Sequence, residues 1–369
     1  MARHRSSAWL LAWLYAGLIA YASLYPFAGW RWPTVWPLAF LTLPWPRYWT
    51  GFDLVSNLLG YLPLGLLVFA AQVRTGRNAG GAFVRAVLSA AAASLLMEMV
   101  QNGLPSRVPS NVDLAFNMLG AAAGAVLGAL MHVVGLLDRW QRLRDRWFVP
   151  QSAGGLTLLV LWPIGLLFPS ALPFGVGQVL SRLQDTLAGW LDQTPLAEWS
   201  RNILEAQWFG PGLPPAGEFC AIALGLIAPS LLAFTVCRSG WRRSVIAVGV
   251  AGAGVGATTL STALNFGPDH ATAWLSSTAV AGLGAGALVS LLLAWVPRRA
   301  SAALGLMALT ALVSLISQAS EDVYFAQSLQ AWEQGRFIRF HGAAQWVGWL
   351  WPYAAMAYLL GRIAARDED

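Results

Sequence analysis

Ten windows of this chain run for about 18 to 22 residues almost without charge, enough for a helix rising 1.5 Å per residue to cross roughly 30 Å of hydrocarbon. They lie near residues 8–28, 53–73, 82–102, 113–136, 154–171, 218–237, 244–264, 273–296, 301–319 and 343–361. In lipid every backbone N–H and C=O must be satisfied within the protein, and an uninterrupted apolar segment does this as a helix. The composition agrees, with 57% of residues hydrophobic and 11% charged, far from both soluble domains and disordered chains. The expected fold is therefore all-α, a polytopic transmembrane bundle of about ten helices. The first window follows the basic start MARHR. Its apolar run is long for a signal peptide and ends without a small-x-small cleavage site, so it is expected to remain as an anchor.

Orientation follows from arginine, since the chain has no lysine. With both termini cytoplasmic, the inside segments hold sixteen of the twenty-three arginines, including those of the run DRWQRLRDR (Arg139, Arg142, Arg144 and Arg146), Arg242, Arg243, Arg298 and Arg299. Twelve of the seventeen acids then lie outside, as the positive-inside rule favours. The expected location is the inner (plasma) membrane, crossed many times. The net charge of +6 sits in short hairpins between spans and not on a separate basic domain, so contact with anionic lipid explains it and nucleic acid is not an expected partner. Cys220 and Cys237 stand at opposite ends of one predicted helix, too far apart to bridge, and no metal-ligand spacing occurs. No cofactor and no metal are expected.

The chain also resembles itself. SLYPF (Ser23 to Phe27) is similar to SALPF (Ser170 to Phe174), the segment from Asp53 to Gly76 is similar to that from Glu218 to Gly240, and NMLGAAAGAVLGAL is similar to AVAGLGAGALVSLL, with Gly120 over Gly282. Two degenerate parallel four-helix repeats plus two C-terminal helices are expected, divided near 1–148, 149–297 and 298–369. The second copy has lost polar groups, since Asn57 becomes Ile222 and Asp113 becomes Leu275. Chemistry is to be sought in the first.

There, acids and amides gather at the outer ends of three successive spans. Asp53 and Asn57 share a face of the second span, with Gly60, Pro63 and Gly65 following; Glu98 and Gln101 share a face of the third; Asp113 and Asn117 open the fourth, ahead of the small-residue ladder Gly120, Gly124 and Gly128. Arg107 stands at the tip of the short loop GLPSRVPSN. A carboxylate within the membrane costs on the order of 2.5–3.5 kcal/mol on insertion scales, so such groups are kept where they satisfy one another or a ligand. The bland alternative is that Arg107 neutralises Glu98 or Asp113 while the amides tie helices together. The preceding loop carries Trp30, Trp32, Trp36, Trp45 and Trp49 between prolines, an interfacial aromatic belt or, more sharply, a stacking platform. The segment 178–210 has apolar residues at helical spacing beside charges and is expected to lie on the membrane surface. Glu333, Arg336, Arg339 and His341 form a smaller constellation, an exposed ion-pair cluster or a lid.

Asp-x-x-x-Asn-x-x-Gly followed by Pro-x-Gly, then Glu-x-x-Gln, an arginine in a short loop, and Asp-x-x-x-Asn-x-x-Gly resembles the pattern of the VanZ-like family over about residues 15–135. The resemblance rests on Asp53, Asn57, Pro63, Gly65, Glu98, Gln101, Arg107, Asp113, Asn117 and Gly120. It implies an integral membrane protein of the cell envelope without an established reaction, in a family known for low-level resistance to the glycopeptide teicoplanin. The length, the second copy and the last two spans depart from a compact member.

Three functions follow. The first is a non-enzymatic protein that binds an envelope lipid, a lipid-linked glycan precursor or an amphiphilic glycopeptide through Asp53, Asn57, Glu98, Gln101, Arg107, Asp113 and Asn117, with Arg107 on a phosphate or carboxylate. The second is an intramembrane hydrolase or transferase using Glu98 and Asp113 as acid and base; no Ser-His-Asp order, metal pair or phosphate loop supports it. The third is a proton-coupled transporter, whose site belongs near the midplane and not at one surface.

Overall fold

Helices occupy all ten apolar windows. The computed structural model describes residues 7–25, 27–33, 35–45, 51–168, 170, 172–178, 191, 194, 195, 197, 198, 213–318 and 338–365, without side chains for 7, 52, 265, 266 and 338–341. Among these the α-helices are α1 (Ser7–Leu24), α2 (Gly51–Arg74), α3 (Ala79–Gln101), α4 (Asn111–Val133), α5 (Leu136–Trp147), α6 (Ala153–Gly165), α7 (Pro215–Val236), α8 (Trp241–Phe266), α9 (Ser277–Leu292), α10 (Arg298–Ile316) and α11 (Ile338–Ala364). Seven have the length and apolar composition to cross a membrane. Helices α1 and α6 are shorter apolar helices, and α11 runs for 27 residues with Trp346, Trp349, Trp351, Tyr353 and Tyr358 among them. No strand occurs among the described residues; Phe148 and Cys237 form an isolated bridge.

Two of the window ends that shift have a clear local cause. Helix α6 stops at Gly165, short of the expected 171, with Pro163 in its last turn unable to donate a helical hydrogen bond. Helix α9 starts at Ser277 and not near 273, because the Ser276 side chain accepts from the Ala279 N–H at 3.0 Å and caps it. The arginine-rich hairpin is itself a helix, α5, which buries Leu137 and carries its charges outward. Arg74 at the end of α2 sits among Asp138, Asp145 and Arg144 of α5.

The chain divides into two compact units, Met1–Arg146 and Trp147–Asp369. Residues 298–369 fall within the second. In the first unit α2 and α4 touch through backbone. A Cβ on Gly65 would lie 2.0 Å from the Ala121 carbonyl oxygen, one on Gly120 would lie 2.1 Å from that of Leu58, and one on Gly124 would lie 1.9 Å from that of Leu62. Glycine is required where helices approach this closely. Gly60 is not part of this ladder, since nothing lies within 4 Å of its Cβ position; its carbonyl instead accepts from the Tyr15 hydroxyl of α1 at 3.0 Å. On α3 the buried residues are Ala82, Ala86, Ala90, Ser94 and Glu98, one every fourth position, so a single face is inward. That face is alanine for three turns and polar for the last two.

In the second unit α7 is the hub. Every residue from Ala221 to Val236 except Leu224 and Ile227 is buried, with α6, α8, α9 and α10 packed around it. Gly282 and Gly286 of α9 bring it near the Phe219 and Ala223 carbonyls of α7, at 3.0 and 2.9 Å from their Cβ positions. Arg243, 2% exposed, donates from Nη1 to the Ala294 and Val296 carbonyls, and its guanidinium lies 5.7 Å from the Phe234 ring centroid. It closes the chain end of α9, where unpaired carbonyls and the helix dipole favour a cation.

The two non-glycine residues with positive φ among those described are Phe27 (φ 61°) and Phe174 (φ 64°). Few bulky residues adopt this region, and these two close the matched segments SLYPF and SALPF.

Thiol chemistry separates the ends of α7. Cys220 is exposed and Cys237 is buried. A membrane-permeant maleimide is expected to modify Cys220 and to reach Cys237 only on unfolding, as read by intact-protein mass.

Candidate ligand-binding cluster

Asp53, Asn57 and Tyr61 follow one another at single-turn intervals on α2, and Ser94 and Glu98 do so on α3. Asp113 and Asn117 have the same relation on α4. All three faces meet at one end of the first unit.

The start of α4 decides how the carboxylates are used. Ser110 is the N-cap, and its hydroxyl accepts from the N–H groups of Val112 at 3.2 Å and Asp113 at 3.4 Å. The spacing Ser-x-x-Asp is that of a capping box, in which the acid reaches back to the N–H of the cap. Here that N–H donates instead to Oε2 of Glu98 at 2.8 Å. Glu98 thus completes the cap from a neighbouring helix. Asp113 is released from it, and its carboxylate lies within electrostatic reach of Asn57, Asp53 and Arg107.

The donors in the loop hold other chain ends. Arg107 Nη2 donates to the Tyr25 carbonyl at 3.0 Å and the Ala22 carbonyl at 3.3 Å, and Gln101 Nε2 donates to that of Ser23 at 2.9 Å. These are the last carbonyls of α1 and the residue beyond, which no helical N–H reaches. Deeper in, Asn117 Nδ2 donates to Ser94 Oγ at 2.8 Å, while Asn117 Oδ1 is buried without a hydrogen-bond partner. The Tyr61 hydroxyl faces Ser94 and Glu98.

The tryptophan segment is fastened across the α3–α4 turn by main-chain groups. The Arg31 N–H donates to the Gly103 carbonyl at 2.9 Å, Asn102 Nδ2 to that of Pro37 at 3.2 Å, and Asn111 Nδ2 to that of Leu43 at 2.7 Å. Phe40 is buried, and Trp30, Trp32, Trp36 and Trp45 are exposed. Trp49, Glu333, Arg336 and most of 178–210 lie outside the described residues, as do the side chains of Arg339 and His341.

All seven residues singled out in the sequence therefore stand in the first unit, at one end of α2, α3 and α4 and the loop between. Asp53 is exposed; Asn57, Gln101, Arg107 and Asp113 are half-buried; Glu98 and Asn117 are buried. Sequence reasoning missed Ser94, Ser110 and Tyr61. Their signals were present: Ser94 and Tyr61 sit one turn inward of Glu98 and Asn57, and Ser110 opens a capping motif. No group of three or more His, Cys, Asp or Glu suited to a metal ion occurs among the described residues.

Apolar helices of membrane-crossing length with a polar cluster at one end define the class: a polytopic helical membrane protein. Residues 7–132 match the family model described as VanZ/LLP1, which covers α1 to α4 and every residue of the cluster. Over those residues the first unit is similar to the VanZ/LLP1 family, and the second unit lies outside the match. No curated protein and no solved structure matches the chain.

Proposed function

We propose that the VanZ-like unit binds the head group of an envelope lipid, a lipid-linked glycan precursor or an amphiphilic glycopeptide at this cluster, and through it affects glycopeptide tolerance. The observation that carries the reading is the gradient of exposure, from Asp53 at the rim through Asn57 and Asp113 to buried Asn117, with an amide oxygen left unused at the bottom. A purely structural network would close on itself. The distribution of arginine favours the plasma membrane with cytoplasmic termini, the cluster facing outward. The second unit is read as a degenerate copy serving as scaffold; Phe27 and Phe174, and the two glycine ladders, support that reading.

The test is mass spectrometry of lipids retained on the purified protein. An Asp113→Asn variant is expected to lose one head-group class by about tenfold, the effect of one charge-assisted hydrogen bond. Identical lipid profiles would remove the proposal.

A further inference from the structure

Helix α5 sorts its side chains by direction. Leu137, its one buried residue, clusters with Ala8 of α1 and with Ala70 and Ala71 of α2, which fixes the side turned to the protein. Leu136, Trp140 and Leu143 are four and three positions apart and share a second side. They are 44%, 57% and 48% exposed, so the fold leaves this apolar strip uncovered. Asp138 and Asp145, seven apart, stand on the side opposite the strip. Arg139 and Arg146, also seven apart and both exposed, run along its edge away from Leu137.

The end of α4 says what lies beside the strip. That span stops at Val133, and α5 begins three residues later at Leu136. The Val134 N–H still donates to the Leu130 carbonyl at 3.0 Å, and Gly135, at φ 70°, then turns the chain. Leu130, Val133 and Val134 are exposed, so uncovered apolar residues run from the last turn of a membrane-crossing helix onto α5. The twelve residues of α5 extend for about 18 Å from that point. An uncovered apolar strip with basic groups along its edge and acids turned away is the pattern of a helix lying in a membrane surface.

We infer that α5 lies in the plane of the membrane surface and holds anionic lipid head groups, with Leu136, Trp140 and Leu143 among acyl chains and Arg139 and Arg146 on lipid phosphates. A guanidinium presents forked donors that match a phosphate, and its stem stays against apolar surface. The acids, on the opposite side, do not repel the lipid. The site stands by the last turn of α2, at the other end of the unit from Asp53, and does not rest on the binding proposed for the polar cluster. In the sequence these arginines only orient the chain; the helical faces select which of them meet lipid.

Full-length protein with Cys220→Ser, which leaves buried Cys237 as its native thiol, receives Leu143→Cys or Gln141→Cys. Gln141 is exposed and lies on another side of α5. Each new thiol carries a bimane, and the protein is placed in phosphatidylcholine nanodiscs. The Leu143 label is expected to be quenched by doxyl-labelled lipid and sheltered from iodide, and the Gln141 label the reverse. Doxyl-phosphatidylglycerol is expected to quench the Leu143 label at about one fifth of the concentration that doxyl-phosphatidylcholine needs, the contribution of about one arginine at an anionic surface. With Arg139→Gln and Arg146→Gln together the two concentrations become equal, and circular dichroism checks that helicity is kept. Iodide reaching both labels alike would place α5 in water, and shelter of the Leu143 label from both quenchers would mean that protein covers the strip; either overturns the inference. Lipid quenching without preference for phosphatidylglycerol, or a preference that survives the double variant, would remove the head-group site.

Discussion

Gly124→Ala is expected to destabilise the first unit by about 3 kcal/mol or more, the upper part of the range for overpacking. The new methyl carbon would stand 1.9 Å from the Leu62 carbonyl oxygen and 2.8 Å from its carbon. Both are backbone atoms of α2, so no side-chain rotation relieves the overlap. The helices must separate, and Gly65 and Gly120 would lose their contacts with them. Gly60→Ala on α2 is the internal control. Nothing lies near its Cβ position, so the higher helix propensity of alanine should leave stability unchanged or raise it by about 0.5–1 kcal/mol. Thermal unfolding of the detergent-solubilised protein, followed by circular dichroism, measures both. Equal melting temperatures for the two variants would mean that α2 and α4 do not touch through this ladder.

Glu98→Ala is expected to cost about 1–3 kcal/mol, because the N–H of a helix cap is left without its acceptor in a buried place. Glu98→Gln keeps an oxygen in position and should cost less. The pair also separates two roles for this residue. If Glu98 serves to free Asp113, then in Glu98→Ala the Asp113 carboxylate turns back to the Ser110 N–H, forms the ordinary capping box, and leaves Asn57. Ligand retention then falls in Glu98→Ala and persists in Glu98→Gln. A general acid or base would instead give equal loss in both, with the amide as disabling as the alanine.

Much of this was legible in the residues. Ten helices stand where apolar windows predict them, since the need to satisfy backbone groups in lipid leaves little choice. The exceptions are local chemistry that a window average hides: Pro163 shortening α6, Ser276 delaying α9, and α5, whose arginines read as a polar hairpin although Leu137 and its neighbours follow a helical period. The residues of the cluster were readable from i, i+4 spacing, because a helix converts spacing into a shared face.

Their partners were not. Nothing in the order of residues says that Glu98 would cap a helix twelve positions later, or that Arg107 would reach back 82 residues to Tyr25. Those pairings depend on where helices lie relative to each other. Gly60 and Gly65 illustrate the same limit. Both precede or follow Pro63 on α2, yet only the second meets α4, a difference of rotation about the helix axis that composition does not record.

The fastening of the tryptophan segment has one further consequence. Pro37 and Leu43 contribute only carbonyl oxygens to it, and Arg31 only an N–H. Every residue type offers the same carbonyl, so the polar part of the anchor is written in Asn102 and Asn111, its apolar part in buried Phe40, and exposed Trp32, Trp36 and Trp45 above can be rewritten. A scaffold of this kind lets new outward specificities be tried without re-engineering the helices that carry them.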